Sequence, residues 1–248
     1  MRTLMLLIGS LLFLTPALYS SEYVDDFSFL SSIPSYQQFL EAVKMDGDTG
    51  KAEELRAGFP SLALSEQDIS VLFIRSSVIL ARLYAEHKEG DKNRALQLLD
   101  EAENRLFMLE KESFLHLMLS SEIDGVHYLV NPRNLSKGIR SNSAINKAYK
   151  QYPKQISAIL AKANSLVYAP SFAGGDVNKA LSHYLGLLQD ADTLLCAFDR
   201  ASIYSGIGLV AMKRKEWQTA KQYFLAAKAL SAFDPTLDAY LAQVEEKL

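Results

Sequence analysis

One motif, Gly-Asp-x-x-x-Ala, occurs three times in this sequence: as GDTGKA at residues 47–52, as GDKNRAL at 90–96 and as GDVNKAL at 175–181. The glycines are 43 and 85 residues apart, and a degenerate copy, KEWQTA at 215–220, begins 40 residues after the third. A further position of the same period falls at the turn-rich residues 132–136. A period near 42 residues over four or five units predicts a repeat protein.

Each copy of the motif has the composition of a turn between two antiparallel helices. The Gly is expected to close the first helix in the left-handed conformation, and the Asp side chain to cap the free N–H groups of the second. The small Ala, four residues after the Asp, is expected where the second helix approaches its neighbour closely.

The segments between the motifs have the period of helices. A helix start is predicted at Ser65, and apolar residues follow from Ile69 to Leu83 at spacings of three and four. Asp234 and Pro235 are typical of the start of a last helix. No run alternates as a strand does, so the sequence predicts an all-α protein of nine or ten helices without a sheet.

The region around the degenerate copy resembles the tetratricopeptide repeat (TPR). The matching residues are Tyr204, Ile207, Gly208, Trp217, Ala220, Phe224 and Ala227, with looser matches at Ala95, Leu99, Ala102, Ala180, Tyr184 and Leu187. The resemblance is weakest in residues 35–60 and 112–152. It implies a right-handed, TPR-like solenoid of stacked antiparallel helix pairs over residues 35–248, in which Gly208 packs tightly against a neighbouring helix.

A second resemblance covers residues 131–188. Asn-Pro-Arg at 131–133, Tyr-Pro at 152–153 and Tyr-Ala-Pro at 168–170 before Gly-Gly-Asp at 174–176 look like exported bacterial repeat proteins with a longer loop between helices. They also resemble the T component of tripartite ATP-independent periplasmic transporters. That resemblance implies a helical repeat subunit that docks onto a solute-binding protein.

Residues 1–20 have the composition of a signal peptide. Arg2 precedes an apolar run at 4–14, Pro16 ends that run, and small residues follow, with cleavage expected after Ser20. The alternative is an uncleaved membrane anchor. Residues 21–34 are interpreted as a linker. The chain is therefore expected to be exported, to the periplasm or the cell envelope, and no later segment is apolar enough to cross a bilayer.

Composition excludes several classes of protein. Of the 248 residues 49% are hydrophobic and 22% charged, which is typical of a folded protein, and the net charge of −3 argues against nucleic acid as a partner. Cys196 is the single cysteine, so no intramolecular disulfide forms. Its apolar neighbours indicate a buried, unreactive side chain.

No catalytic, cofactor or metal site is predicted. The text GIGLVA at 206–211 fits a dinucleotide-binding fingerprint but lies inside a predicted helix rather than after a strand. The histidines lack the spacing of metal ligands. A pair of carboxylates acting as acid and base stays open as an alternative, because Asp and Glu are numerous.

The resemblance to tetratricopeptide repeats suggests a binding surface instead. In such a solenoid the first helix of each pair lines the concave face, where peptides bind. With Gly208 at the eighth repeat position, the ninth and twelfth positions of three units are Tyr84 and His87, Ser165 and Tyr168, and Leu209 and Met212. These six residues are predicted to bind an apolar or mixed protein or peptide partner; the alternative is that neighbouring helices cover them. A non-catalytic interaction scaffold is the favoured function, ahead of a transporter-associated subunit and an enzyme.

Overall fold

The structure, a computed structural model, describes residues 23–87 and 90–248. In this part the chain is all-α, as predicted, with eleven α-helices rather than nine or ten and with no β-strand. The helices are α1 Pro34–Glu41, α2 Thr49–Gly58, α3 Glu66–Glu86, α4 Lys92–Arg105, α5 Phe114–Val130, α6 Leu135–Gln151, α7 Ile156–Tyr168, α8 Val177–Asp190, α9 Ala197–Lys213, α10 Trp217–Leu230 and α11 Pro235–Glu245. A π-helical turn, Ala42–Asp46, continues α1.

The predicted caps and close contacts are confirmed. Asp48, Asp91, Asp176 and Asp234 each accept a hydrogen bond from a backbone N–H two or three residues later, at the starts of α2, α4, α8 and α11. Each motif thus lies in the turn inside a helix pair. The four alanines of the motifs are fully buried: Ala52, Ala95, Ala180 and Ala220.

The predicted left-handed glycine is correct at one motif and wrong at two. Gly47 has φ of 68°, whereas Gly90 and Gly175 do not have positive φ. At these two positions glycine is required for a different reason. A Cβ would lie 1.9 Å from the backbone oxygen of Tyr84 at Gly90, and equally close to that of Ala169 at Gly175. Close approach of the backbone to itself, rather than helix termination, explains both glycines.

Helices α6 and α7 run antiparallel. Ser165 of α7 donates to Asn142 of α6 at 2.7 Å, and Lys162, one turn earlier on α7, reaches Asn146, one turn later on α6, also at 2.7 Å. From the first contact to the second, the residue number falls on α7 and rises on α6. The start of α6 therefore lies beside the end of α7.

The antiparallel arrangement of successive helices continues to the end of the chain. Arg214, just after α9, donates to Asn178 at the start of α8 at 2.6 Å, and Lys221 of α10 pairs with Glu245 at the end of α11 at 3.0 Å. From α5 to α11 successive helices are thus antiparallel neighbours. The turns at residues 131–134, 169–176 and 214–216 consequently lie on one side of the array, which we call the turn edge.

The alternation is interrupted between α4 and α5. Glu103, near the end of α4, faces His127, near the end of α5, at 3.7 Å, and Lys137, near the start of α6, at 2.8 Å. In a regular repeat the end of α4 would meet the start of α5 instead. The C-terminal ends of α4 and α5 therefore lie next to each other, and residues 106–113 connect the end of α4 to the start of α5. The stacking is therefore not uniform over residues 35–248.

The loop between α10 and α11 packs against the N-terminal pair. The N–H of Phe233 donates to the carbonyl of Lys44 at 2.8 Å, and its ring covers Gly47, where a Cβ would lie 2.6 Å from it. The same ring stacks on His87 with centroids 5.8 Å apart. The loop between α10 and α11 thus contacts the N-terminal helices, although the two are distant in sequence.

The segment predicted to be a linker, 21–34, is packed in its described part. Phe27, Leu30 and Ile33 are buried, the 3₁₀ helix Ser28–Ser32 lies among them, and Val24 makes backbone hydrogen bonds to residues 154 and 156. The spacing of three between these apolar residues puts them on one face of such a helix. This packing corrects the linker prediction, whereas the signal-peptide prediction, residues 1–20, lies outside the described residues.

Within the described residues, none of the helices combines the length and the apolar character needed to span a bilayer.

Candidate functional site

The two predicted binding residues at the end of α3 contact other parts of the chain. The Tyr84 hydroxyl donates to Glu53 of α2 at 2.8 Å. The His87 ring stacks on Phe233, as described above. Tyr84 is half-buried by its contact, whereas His87 stays exposed beside Phe233.

The predicted residues on α7 and α9 differ in exposure. Ser165 is half-buried and occupied by its hydrogen bond to Asn142. Met212 is half-buried against the hydrophobic cluster of α7–α11. Leu209 is 3% exposed, so its prediction as a binding residue is wrong. The helix on which it lies packs against α7, α8 and α10, which leaves that side chain in the core.

Tyr168 is the most exposed of the hydrophobic residues among the six, at 53%. Its hydroxyl lies beside Tyr240 of α11, and burial among the surrounding atoms raises its pKa, with Tyr240 adding to that effect. Arg82, whose side chain is 52% exposed and paired with Glu86 at 2.8 Å, lies near the same hydroxyl. Tyr168 therefore presents part of its side chain at the surface, with its hydroxyl close to Tyr240 and Arg82.

A second exposed aromatic side chain lies in the turn that follows. Phe172, on the 3₁₀ helix Ser171–Ala173, is 92% exposed. Together with Tyr168 it presents aromatic surface at the turn edge. Exposed apolar side chains mark interaction sites when they cluster into a patch.

The backbone of this turn is held by hydrogen bonds. The N–H of Asp176 donates to the carbonyl of Leu166 and that of Gly175 to the carbonyl of Pro170, both at 3.0 Å. Gly174 adopts the left-handed conformation, with φ of 87°. These hydrogen bonds fix the backbone conformation of the turn that contains Phe172, so little backbone freedom would be lost on binding.

The neighbouring turn of the same edge also exposes apolar side chains. Leu129, at the end of α5, is 41% exposed, and Leu135 and Ile139, one turn apart on α6, are 62% and 69% exposed. The ring of Tyr128 covers Gly138, where a Cβ would lie 3.2 Å from it. The exposure of these residues could not be predicted from the sequence, because their apolar spacing on α6 is the same as that of a buried helix face.

A charged cluster joins the N-terminal segment to three helices. Arg75 of α3 lies 3.4 Å from Glu122 of α5 and stacks over Phe27 at 4.2 Å. Burial raises the pKa of Glu122 and that of Asp25, and Asp199 of α9 adds to both effects. The charge of Arg75 opposes this effect at both carboxyls, and that of Arg82 does so at Glu122, which is the arrangement of a packing contact between elements.

A groove of about 310 Å³ lies between α6, α7 and α8. Tyr149 and His183 form one wall, with ring centroids 5.4 Å apart in an edge-on arrangement, and Tyr23 and Ile159 also line it. Burial, followed by the charges of Lys162 and Lys179, lowers the pKa of His183. The imidazole is therefore neutral at pH 7, and the groove has an aromatic, uncharged wall.

The glycines of residues 206–211, the segment that fits a dinucleotide-binding fingerprint, have packing roles. A Cβ at Gly206 would lie 2.2 Å from the ring of Tyr184 on α8, and one at Gly208 would lie 2.6 Å from the ring of Phe224 on α10. Both glycines lie inside α9, on opposite sides of the helix. The prediction that Gly208 packs tightly against a neighbouring helix is confirmed.

The thiol of Cys196 is held in its protonated form. Burial raises its pKa to about 12, with the carboxylate of Asp199 adding to the effect. A thiol of this pKa is a poor nucleophile at pH 7. This agrees with the low reactivity predicted for Cys196, although the residue is half-buried rather than buried.

One group of side chains has the composition of a metal site. Asp100 and Glu103 of α4 and His127 of α5 each offer a ligand atom, and these atoms lie within 4.8 Å of one another. The sequence analysis predicted no metal site. The ligands come from two helices, so no local spacing motif indicates them.

Comparisons with protein-family models, with curated proteins and with solved structures found no match to this chain.

Proposed function

We propose that this chain is an exported, non-catalytic scaffold that binds a protein or peptide partner. In this proposal α5–α11 stack as a right-handed, TPR-like solenoid, and the partner binds at the turn edge. The observation that carries the proposal is the pair of exposed aromatic residues, Phe172 and Tyr168, on a turn with a hydrogen-bonded backbone. Exposed aromatic anchors on a preformed backbone supply most of the energy in many interfaces.

The partner segment that fits this edge is apolar with a polar margin. Phe172 and Tyr168 would be its main contacts, and Leu135 and Ile139 would extend the surface along α6. The hydroxyl of Tyr168, near Arg82, supplies a polar group beside the exposed ring. Such a surface suits an amphipathic helix or an extended peptide with apolar anchors.

A transporter-associated subunit that docks onto a solute-binding protein is the second candidate. It is favoured by the position of the exposed apolar residues, because Leu135, Ile139, Tyr168 and Phe172 all fall in residues 131–188. That stretch carries the resemblance to the T component of tripartite ATP-independent periplasmic transporters. Under this reading the partner at the turn edge is a solute-binding protein.

Phe172→Ser is expected to weaken partner binding by about 10-fold or more while leaving the melting curve unchanged. The side chain is 92% exposed, so its loss removes interface area without opening a cavity. The measurement is affinity capture from the native envelope with quantitative mass spectrometry, comparing the full wild-type chain with the variant.

The matched control is Leu194→Ser. Leu194 is also exposed, at 40%, and also lies on a 3₁₀ helix, Asp192–Leu194, but in the connection at the opposite side of the array. Phe172→Leu, which keeps apolar surface, should retain much of the binding. If Phe172→Ser captures the same proteins in the same amounts as Leu194→Ser, the turn edge is not the binding surface.

Leu7→Arg is expected to keep the protein in the cytoplasm. The apolar run at residues 4–14 is the element that export machinery recognises in a signal peptide, and a charge at its centre interrupts it. Fractionation followed by immunoblotting measures the distribution, with Leu7→Ile as the control. An unchanged location for Leu7→Arg would contradict the proposal of export by this segment.

A further inference from the structure

The acidic and imidazole side chains between α4 and α5 converge on one point. Asp100 and Glu103 are three residues apart on α4, which places both carboxylates on the same face of the helix. His127 approaches that face from α5, and the three potential ligand atoms lie within 4.8 Å of one another. The convergence depends on the contact between α4 and α5, which brings the C-terminal ends of both helices together.

The Nε2 atom of His127 lies in this cluster without a hydrogen bond to the described residues. Its side chain is 12% exposed, and Nε2 is buried 3.7 Å from Oε2 of Glu103, with no hydrogen-bond partner among the described residues. A buried polar atom without a partner is unfavourable and uncommon in folded proteins.

Lys137 orients Glu103 from the opposite side. Its ammonium group lies 2.8 Å from Oε1 of Glu103 and 3.0 Å from Asp124, leaving Oε2 directed at His127. An outer partner that holds one oxygen of a ligating carboxylate is a common feature of metal sites. Arg140 also pairs with Asp124, at 2.8 Å, so the three carboxylates and two basic side chains leave a net negative charge.

We propose that Asp100, Glu103 and His127 form a binding site for a divalent first-row transition ion such as Zn²⁺. One imidazole nitrogen and two carboxylate oxygens are a donor set that suits zinc, and water would complete the coordination. Ligands about 2.0–2.2 Å from zinc stand about 3.5 Å apart in a tetrahedral site, so the side chains need to close by about 1 Å. The carboxylates can make that adjustment because both residues are exposed.

The test is titration of the full chain, without a histidine tag, with Zn²⁺ by isothermal titration calorimetry. The wild-type chain should bind one ion, and Asp100→Asn and His127→Gln should each weaken binding by about 10-fold or more. Asp190→Asn and His183→Gln change the same residue types elsewhere and should leave binding unchanged. Asp100 is exposed, so its substitution leaves the fold intact and tests the site even if His127→Gln lowers stability.

Co²⁺ supplies a second readout. Bound at a site of low coordination number, it should give an intense visible absorption in the wild-type chain that is lost in Asp100→Asn and in His127→Gln. Three results would overturn the proposal: no saturable binding of Zn²⁺ by the wild-type chain, equal binding in both site variants and the controls, or binding of Mg²⁺ as strong as that of Zn²⁺.

Discussion

Gly208→Leu is expected to lower the free energy of unfolding by about 2 kcal/mol or more, within the range for overpacking a core. A Cβ at this position would already lie 2.6 Å from the ring of Phe224, before the rest of the leucine is added. Phe224 is fully buried, and its ring also stacks on Tyr240 with centroids 5.3 Å apart. The ring therefore has little room to move, and α9 and α10 must separate.

Urea unfolding followed by circular dichroism measures this effect. The matched control is Gly186→Ala in α8, where a Cβ would meet nothing within 4 Å. That change should leave stability unaltered or raise it by up to about 1 kcal/mol, because alanine has the higher helix propensity. An unchanged unfolding midpoint for Gly208→Leu would contradict the packing of α9 against α10.

Gly175→Ala is expected to be the second large effect, with a loss of about 2 kcal/mol or more of stability. The added Cβ would lie 1.9 Å from the carbonyl oxygen of Ala169, and a backbone atom has no rotamer by which to move aside. The turn must open, which breaks the hydrogen bond from Asp176 to Leu166. Partner binding should fall as well, because Phe172 is carried by the same turn.

Gly58→Ala provides the control for this substitution. A Cβ at Gly58, the last residue of α2, meets nothing within 4 Å, so the free energy of unfolding should hardly change. Both variants are compared with the wild type by urea unfolding and by capture of the partner. If Gly175→Ala keeps wild-type stability and binding, the close backbone approach in this turn is not as described.

The helix starts could be predicted from the sequence because their causes are local. Asp91 and Asp176 accept hydrogen bonds from N–H groups two and three residues away, and Ser65 accepts one from Asp68. Such contacts need only the chain next to the capping residue. The alanines after the caps were predicted as close contacts, and they are fully buried.

The surroundings of the candidate binding residues could not be predicted from the sequence. The repeat register placed Leu209 on an accessible face, but α9 packs against α7, α8 and α10, and the side chain is 3% exposed. His87 stacks on Phe233, a residue far along the chain. Helical periodicity predicts that one face is apolar, and it does not say how many neighbours cover the helix.

The sequence by itself thus determined the helical class, the positions of the turns within each helix pair and the tight packing of Gly208, because these depend on spacing and on neighbouring residues. Only the tertiary structure decided that α4 and α5 run side by side, that Phe233 closes the array on Gly47, and that Asp100 and Glu103 meet His127. Each of these contacts joins residues of different helices. Their distance in space is set by how helices pack, which a pattern along one chain does not contain.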